Sequence, residues 1–429
     1  MFGFANFLLL ALFAAAVFDL IFALARGGGL RGALHGLWNT PHLLFGQQLA
    51  EWRLQLGRIL FAAGLAAYEI SVVFCNSMAR QNWAWVQGVM SPVLEWLAFL
   101  CFGAKILFGT RYTWRELLAG GALYFIARWV YFNSQNIWWI GIVVAVLAAK
   151  EVSLRRPLQV YFASGCAAMA VVLALHFAGI VAPDLTSERM GALRGTYGYG
   201  HPNTFGGLVF GLVLAYALLR AQKVRWVDCL LVFAVGVFLL VGPASRSAAL
   251  CTLALAVGLV FCRLRAGHSV PRWWPGTCAG MVGLTAAVSY LLPLLVIKVG
   301  PWNNDIGPAW LAKLDSLLTC RISLTWMAYR LLDVKIAGQV FNWPTVDNSF
   351  AFALFQFGPV VAALLGILFA AALWGHAKQG CRVEVCCLFA MLAYAYMEVQ
   401  PFHLTTNPTA LLLCGAVFAQ TSTRWQKIE

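Results

Sequence analysis

The largest group of potentially reactive side chains lies in residues 194–206, which read RGTYGYGHPNTFG. The glycines allow positive φ and a close backbone approach to a ligand. The side chains that could contact such a ligand are those of Arg194, Tyr197, Tyr199, His201 and Asn203. The same pattern is typical of a turn followed by a helix, with Asn203 or Thr204 as the N-cap. The residues alone leave both interpretations open.

Three more arginines border apolar segments. Arg246 follows the sequence GPAS and precedes a long apolar run, whereas Arg321 and Arg330 lie in a segment with helical spacing. A guanidinium group matches the oxygens of a phosphate, so these arginines are candidate anion ligands. The alternative is structural, because an arginine at the start of an apolar helix snorkels towards water and one on an interfacial helix forms a solvated face.

Two acidic residues are candidates for proton transfer or substrate binding. Asp347 precedes Asn348 and Ser349 at the start of an apolar run, where it could act as a general base. An ordinary N-cap is the alternative interpretation of these residues. Glu398 lies near the end of another apolar run, and an ionisable residue at membrane depth is a functional candidate.

The composition shows where these side chains must be held. Of the 429 residues 62% are hydrophobic and only 11% are charged, against about a quarter charged in soluble domains. The formal net charge of +14 is dispersed among short loops, which encodes membrane topology and does not predict nucleic-acid binding. The 12 cysteines form no C-x-x-C pair and no cluster with histidine at metal-ligand spacing, so we expect neither a metal nor a cofactor.

The apolar runs approach the length of a membrane crossing at thirteen places. They are residues 4–25, 59–75, 87–109, 116–132, 137–149, 157–181, 204–220, 226–242, 246–262, 274–297, 349–374, 384–399 and 408–420. The first run lacks a basic segment and a cleavage site, so we expect a retained helix. The sequence therefore predicts an all-α integral membrane protein, one polytopic domain over residues 1–429 with about 12–14 transmembrane helices.

The distribution of lysine and arginine predicts the orientation. Alternate loops and the C-terminus carry most of the basic residues and are therefore predicted to be cytoplasmic. The opposite side has the two longest loops, residues 182–203 and 298–348. Within the larger loop, residues 310–335 contain no Gly or Pro and predict a helix. Every candidate side chain named above falls on this predicted outer side.

Taken in order, these segments resemble the superfamily of O-antigen polymerases and ligases, which includes the Wzy-like polymerases of capsule and exopolysaccharide clusters. The resemblance rests on Arg194 with GHPNTFG, on SRS at 245–247, on RISLTW at 321–326 and on DNS at 347–349. The ending from Glu398 to Asn407-Pro408 is also similar. Together these pieces cover roughly residues 185–410.

The resemblance implies glycosyl transfer from an undecaprenyl-pyrophosphate-linked glycan at the outer face of the cytoplasmic membrane. It implies that Arg194 and Arg321, with Arg246, bind the donor pyrophosphate. Asp347 is the first candidate for the base and His201 the second. The ligase branch usually has histidine where this chain has Asp347, so the resemblance favours a polymerase. The remaining expected substrate contacts are Arg330, Tyr197, Tyr199, Asn203, Asn348 and Glu398.

Two other functions remain as alternatives. One is a ligase that transfers glycan to a lipid or protein acceptor, and the other is a polysaccharide transporter or flippase. The expected partners are a lipid-linked oligosaccharide and membrane lipids, with a flippase and a chain-length regulator as candidate protein partners.

Overall fold

A computed structural model describes residues 2–25, 29–45, 51–181, 187–189, 192–296 and 308–418. The helices of the first half are α1 (Phe2–Ala25), α2 (Gly29–Asn39), α3 (Glu51–Cys75), α4 (Ala79–Asn82), α5 (Ser91–Phe108), α6 (Trp114–Ser134), α7 (Ile137–Ala148) and α8 (Arg155–Phe177). Those of the second half are α9 (Pro202–Leu219), α10 (Trp226–Val241), α11 (Arg246–Leu264), α12 (Trp274–Leu291), α13 (Ala309–Leu317), α14 (Arg321–Leu331), α15 (Ser349–Phe352), α16 (Pro359–Lys378), α17 (Arg382–Met397) and α18 (Cys414–Val417).

Short irregular helices and two small strand pairs complete the described structure. The π-helical turns are Val86–Met90 and Ala353–Phe357, and the 3-10 helices are Leu292–Leu295, Gln400–Phe402 and Pro408–Leu413. Strand β1 (His42–Leu43) pairs antiparallel with β2 (Arg111–Tyr112), and β3 (Ser187–Arg189) pairs antiparallel with β4 (Ala192–Arg194). The prediction of an all-α chain is confirmed.

Eight helices in the described part of the chain are long and apolar enough to cross a membrane. They are Gly3–Ala25, Glu51–Cys75, Val86–Phe108, Arg155–Phe177, Pro202–Leu219, Arg246–Leu264, Trp274–Leu295 and Pro359–Lys378. Three apolar helices are shorter, namely Ile137–Ala148, Trp226–Val241 and Pro408–Val417. This arrangement is compatible with a multi-pass membrane protein, while the number and direction of the crossings stay predictions.

The surface and the interior fit a lipid environment. Large apolar side chains on the long helices are exposed, as in Phe13, Val257 and Ile367. By contrast, every residue of α7 from Trp139 to Ala148 is buried. A short helix can lie at membrane depth when neighbouring helices surround it, because its backbone ends are then shielded from lipid. The burial of α7 therefore accounts for the short predicted run at 137–149.

Close backbone packing joins α9 to the segment that follows α17. A Cβ added to Gly211 would lie 2.4 Å from the carbonyl oxygen of Thr405, and one added to Gly207 would lie 1.8 Å from Oε1 of Gln400. Glycine at these positions lets α9 approach residues 400–406 closely. The N-terminus of α9 is thereby held beside the end of α17, where the candidate site lies.

The predicted continuous helix over residues 310–335 is wrong. The structure has α13 and α14, separated by Thr319 and Cys320, which both have φ of 61°. The buried Asp315 stabilises the break, because its Oδ1 accepts hydrogen bonds from the backbone N–H of Ile322 at 2.7 Å and of Ser323 at 3.2 Å. These contacts satisfy two amides at the start of α14 that have no acceptor within the helix.

The predicted run at 349–374 is also divided. Gly358 has φ of 88°, and a Cβ there would lie 2.1 Å from the carbonyl oxygen of Ile336. Only glycine is compatible with both the positive φ and this close approach. The predicted loops 182–203 and 298–348 lie partly outside the described residues, since 182–186, 190–191 and 297–307 are not described.

Candidate functional site

The carboxylate of Glu398 joins three distant segments. Glu398 follows the last residue of α17 and has an extended backbone, with φ −143° and ψ 151°. Its Oε1 accepts hydrogen bonds from Nη2 of Arg321 at 2.6 Å, from Oγ of Ser247 at 2.8 Å and from Nδ2 of Asn203 at 3.1 Å. The side chain is buried, being 6% exposed. A buried carboxylate requires such partners, because its charge is costly away from water.

Arg321 is held by several acceptors at once. Its Nη2 forms the ion pair with Glu398 and also donates to Oγ of Ser247 at 3.3 Å. Its Nη1 donates to the carbonyl oxygen of Leu318 at 2.8 Å, and its Nε donates to that of Met397. Arg321 is buried, and it is the first residue of α14, immediately after the break at Cys320. The helix break that the sequence did not predict is therefore what brings Arg321 to Glu398.

Asn203 connects Arg194 to the same carboxylate. Nη2 of Arg194 donates to Oδ1 of Asn203 at 2.9 Å, while Nδ2 of Asn203 donates to Glu398. Arg194 also donates to the carbonyl oxygens of Pro243 and Ala244, at 3.4 and 3.2 Å. Arg194 thus ties the 194–206 segment to the turn before α11.

The N-cap of α9 is His201, so the prediction of Asn203 or Thr204 at this position is wrong. Nδ1 of His201 accepts a hydrogen bond from the backbone N–H of Asn203 at 3.1 Å. Pro202 is the first residue of the helix, where its missing N–H costs nothing. This arrangement leaves the amide of Asn203 available to bridge Arg194 and Glu398. The imidazole of His201 is exposed at the end of the helix.

Asn348 and Ser349 attach the start of α15 to the same end of α17. Oδ1 of Asn348 accepts from the N–H groups of Phe350 and Ala351, so the N-cap interpretation is confirmed for this residue. Nδ2 of Asn348 donates to the carbonyl oxygen of Tyr396 at 3.1 Å, and Oγ of Ser349 donates to that of Glu398 at 2.5 Å. These bonds place the preceding residue, Asp347, beside the network.

Asp347 differs from the other polar side chains here. It is half-buried, and no donor among the described residues forms a hydrogen bond or ion pair with its carboxylate. Glu398, in contrast, has its Oε1 occupied by three donors. Of the two, Asp347 is the carboxylate that no described donor engages, whereas Glu398 joins separate segments of the protein.

Two arginines at this end of the bundle are exposed. Arg246 begins α11 next to Ser247, and Arg330 lies in the last turn of α14. The guanidinium of Arg330 is 5.5 Å from the centroid of the Trp326 ring, a cation–π contact. Among the described residues, neither arginine has a carboxylate partner. Both can therefore reach an anion without giving up an existing ion pair.

The two tyrosines of the 194–206 segment pack into the protein. Tyr197 is half-buried and stacks on Phe205, with 5.0 Å between the ring centroids. Tyr199 is completely buried, and its backbone forms an isolated β-bridge with Ser77. Both rings pack against Phe205, with Tyr199 completely buried and Tyr197 partly exposed.

Sequence reasoning did not select Ser247, Ser349 or Gln400 as site residues. The two serines contact Glu398 directly, and Gln400 donates to the carbonyl oxygen of Asn203 at 3.3 Å. The sequence did contain a pointer to the two serines, because Ser247 and Ser349 belong to the SRS and DNS segments on which the resemblance rests. A serine at the start of a helix is also typical of an N-cap, so its position alone does not indicate a site residue.

Within the described residues, no group of three or more His, Cys, Asp or Glu side chains is arranged to hold a metal ion. No family model, no curated protein and no solved structure matches this chain. The fold and the site therefore define an all-α protein of membrane type with a buried arginine–glutamate centre at one end of its bundle.

Proposed function

We propose that this protein polymerises undecaprenyl-pyrophosphate-linked oligosaccharide repeat units into a surface polysaccharide. One observation carries the proposal: the four ordered segments of the resemblance, 194–206, 245–247, 321–326 and 347–349, all contribute hydrogen bonds to one network around Glu398. The meeting of these four segments at one place in the fold supports the proposal that they act together.

The proposed reaction breaks the bond between the anomeric carbon of the donor glycan and its pyrophosphate. The hydroxyl oxygen of the acceptor sugar forms the new glycosidic bond to that carbon. The hydroxyl proton passes to Asp347, and the electron pair of the broken bond remains on the departing lipid pyrophosphate. Cationic side chains lower the barrier because they stabilise negative charge as it develops on the leaving group.

The arginines divide into two proposed roles. Arg246 and Arg330 are exposed, so they are the proposed direct contacts of the pyrophosphate. Arg194 and Arg321 are buried, and their described hydrogen bonds go to protein oxygens. This engagement supports a positioning role, in which Arg194 and Arg321 hold the starts of α9 and α11 beside the end of α17. The resemblance had implied that Arg194 and Arg321 themselves bind the pyrophosphate.

The membrane arrangement is part of the same proposal. The chain would cross the cytoplasmic membrane about 12–14 times, with the 298–348 loop and the site on the outer side. The lipid-linked donor would then reach the site laterally from the outer leaflet. The asymmetry of lysine and arginine between alternate loops supports this orientation.

A deletion strain of the source organism tests the proposal. It would be complemented with the wild type, with Asp347→Asn or with Asp333→Asn, which alters an exposed carboxylate of the same loop. We expect single lipid-linked repeat units from the strain and from Asp347→Asn, and long chains from the other two. Long chains that accumulate on the carrier lipid in the deletion strain would instead identify a ligase.

A second experiment separates polymerisation from transport. The purified protein in detergent micelles is mixed with lipid-linked repeat units, in the absence of any membrane to cross. Elongated products identify an enzyme. Repeat units that stay single in micelles but change sides in sealed vesicles would contradict the proposal and identify a transporter.

A further inference from the structure

A cavity lined by charged side chains lies at the opposite end of α17 from the candidate site. Its volume is about 560 Å³, and it lies between the connections α9–α10, α11–α12 and α16–α17. Arg382 begins α17 at this cavity, and Glu398 follows the helix at the other site. The 16 residues of α17 separate the two by about 24 Å, at about 1.5 Å per residue. Nothing in the proposed polymerisation uses this cavity.

The charged lining of the cavity is mostly basic. Lys223, Arg225, Arg263 and Arg382 contribute four cations, and Glu384 contributes one carboxylate. Lys223, Arg225 and Arg263 are exposed, and within the described part of the chain no carboxylate pairs with any of them. Such a concentration of unpaired positive charge in a concave site favours an anionic ligand, because like charges repel until an anion neutralises them.

Asp228, three residues after Arg225, is already occupied. Asp228 accepts hydrogen bonds from Nε of Arg220 at 3.2 Å, from the hydroxyl of Tyr216 at 2.6 Å and from the backbone N–H of Arg225 at 2.7 Å. It therefore fixes the start of α10 and pairs with Arg220, leaving the guanidinium of Arg225 to another partner. Asp228 is thus engaged outside the cavity lining, whose described carboxylate is Glu384.

Arg382 is held in place by backbone acceptors. Its Nη1 donates to the carbonyl oxygen of Arg265 at 2.6 Å, and its Nη2 donates to that of His268. These bonds join the α11–α12 connection to the start of α17 and orient a guanidinium on the cavity wall without neutralising it. At least one wall of the cavity is therefore fixed by hydrogen bonds between the α11–α12 connection and the start of α17.

Exposed apolar residues follow or precede the lining residues of the cavity directly in sequence. Trp226 and Val227 begin α10 directly after Arg225, and Phe261 and Leu264 end α11 beside Arg263. All four side chains are exposed. Tryptophan is enriched where membrane helices meet the headgroup region. In a chain that spans a membrane, a basic cavity next to such residues would lie at the level of lipid headgroups, where basic pockets between helices bind anionic lipids.

We infer that this cavity binds the phosphate headgroup of an anionic phospholipid, with the acyl chains on the exposed faces of α10 and α11. Its volume lies in the range of about 300–1,000 Å³ that is usual for small-molecule sites and suits a headgroup better than a bare anion. The inference is independent of the polymerase proposal. It requires only that this end of the bundle meets a leaflet that contains anionic lipid.

The test is equilibrium binding to the full-length protein in a neutral detergent. The probes are dihexanoyl-phosphatidylglycerol, dihexanoyl-phosphatidylcholine and inorganic phosphate. We expect phosphatidylglycerol to bind at least tenfold more tightly than the other two. Equal affinity for phosphatidylcholine would overturn the inference, and so would inorganic phosphate that competes as well as the lipid, because the site would then serve a free anion.

Matched variants locate the binding. Arg225→Gln with Arg263→Gln removes two cavity cations, and we expect affinity for phosphatidylglycerol to fall roughly tenfold to thirtyfold. Arg58→Gln with Arg115→Gln removes two exposed cations outside the cavity, and we expect no change. An equal loss of phosphatidylglycerol affinity in the two double variants would show that binding depends on the overall positive charge of the protein, and it would refute a specific site. If the first pair does not fold, Lys223→Gln alone, at an exposed side chain, should still weaken binding severalfold, and unchanged binding would refute the site.

Discussion

Arg321 and Glu398 form a buried ion pair across 77 positions of sequence, with 2.6 Å between Nη2 and Oε1. The two side chains are only 7% and 6% exposed. The pair connects the first turn of α14 to the end of α17 and receives further hydrogen bonds from Ser247 and Asn203. Because both charges are out of water, each depends on the other for compensation.

Removing one member of this pair should be strongly destabilising. We expect Arg321→Ala and Glu398→Gln each to lower the free energy of unfolding by about 3–5 kcal/mol, since each leaves an uncompensated buried charge. The double variant Arg321→Met with Glu398→Met should lose less than the sum of the two. Denaturant titration in detergent micelles measures all three. Lys313→Ala, at an exposed position of α13, is the control and should change stability by less than about 0.5 kcal/mol. Single variants as stable as this control would show that the pair is not a structural centre.

The identity of the base can be tested by a pair of substitutions. Asp347 lies half-buried without a described partner, whereas His201 is the exposed cap of α9. If Asp347 takes the proton, Asp347→Asn should lower kcat by about 10²- to 10⁴-fold, the usual contribution of a general base. His201→Asn should leave kcat within about tenfold, since Asn is a favoured N-cap whose Oδ1 can accept from the backbone N–H of Asn203. Polymerisation by the purified protein measures both, and the reverse order of effects would assign the base to His201.

Binding of the donor pyrophosphate should depend on Arg246. This guanidinium is exposed at the start of α11, directly before Ser247. We expect Arg246→Gln to raise KM for the lipid-linked donor by roughly tenfold or more, because a hydrogen bond to a charged group contributes about 1.5–3 kcal/mol. Arg80→Gln removes a comparable exposed arginine on the same predicted side and is the control. An unchanged KM in Arg246→Gln would move the pyrophosphate contact to another residue.

Much of the fold can be predicted from the sequence, because apolar runs of membrane length are a local property. The helix break at Thr319 and Cys320 cannot be predicted in this way, since neither residue is Gly or Pro and the stabilising contact comes from the side chain of Asp315. The convergence of Asn203, Ser247 and Arg321 on Glu398 depends on how distant helices pack. No spacing rule encodes such contacts, although the polar residues themselves stood out against their apolar surroundings.

The joint between α9 and residues 400–406 should be intolerant of even one added methyl group. A Cβ on Gly211 would lie 2.4 Å from the backbone carbonyl oxygen of Thr405, and a backbone atom cannot rotate away as a side chain can. We expect Gly211→Ala to cost about 1–3 kcal/mol of unfolding free energy by overpacking. Gly283→Ala in α12 is the matched control, since no atom lies within 4 Å of an added Cβ there. The control should gain slight stability from the better helix propensity of alanine. Because α9 also holds Asn203 against Glu398, Gly211→Ala should lower polymerisation as well. Equal melting temperatures for the two variants in detergent would show that α9 does not pack as closely as the structure indicates.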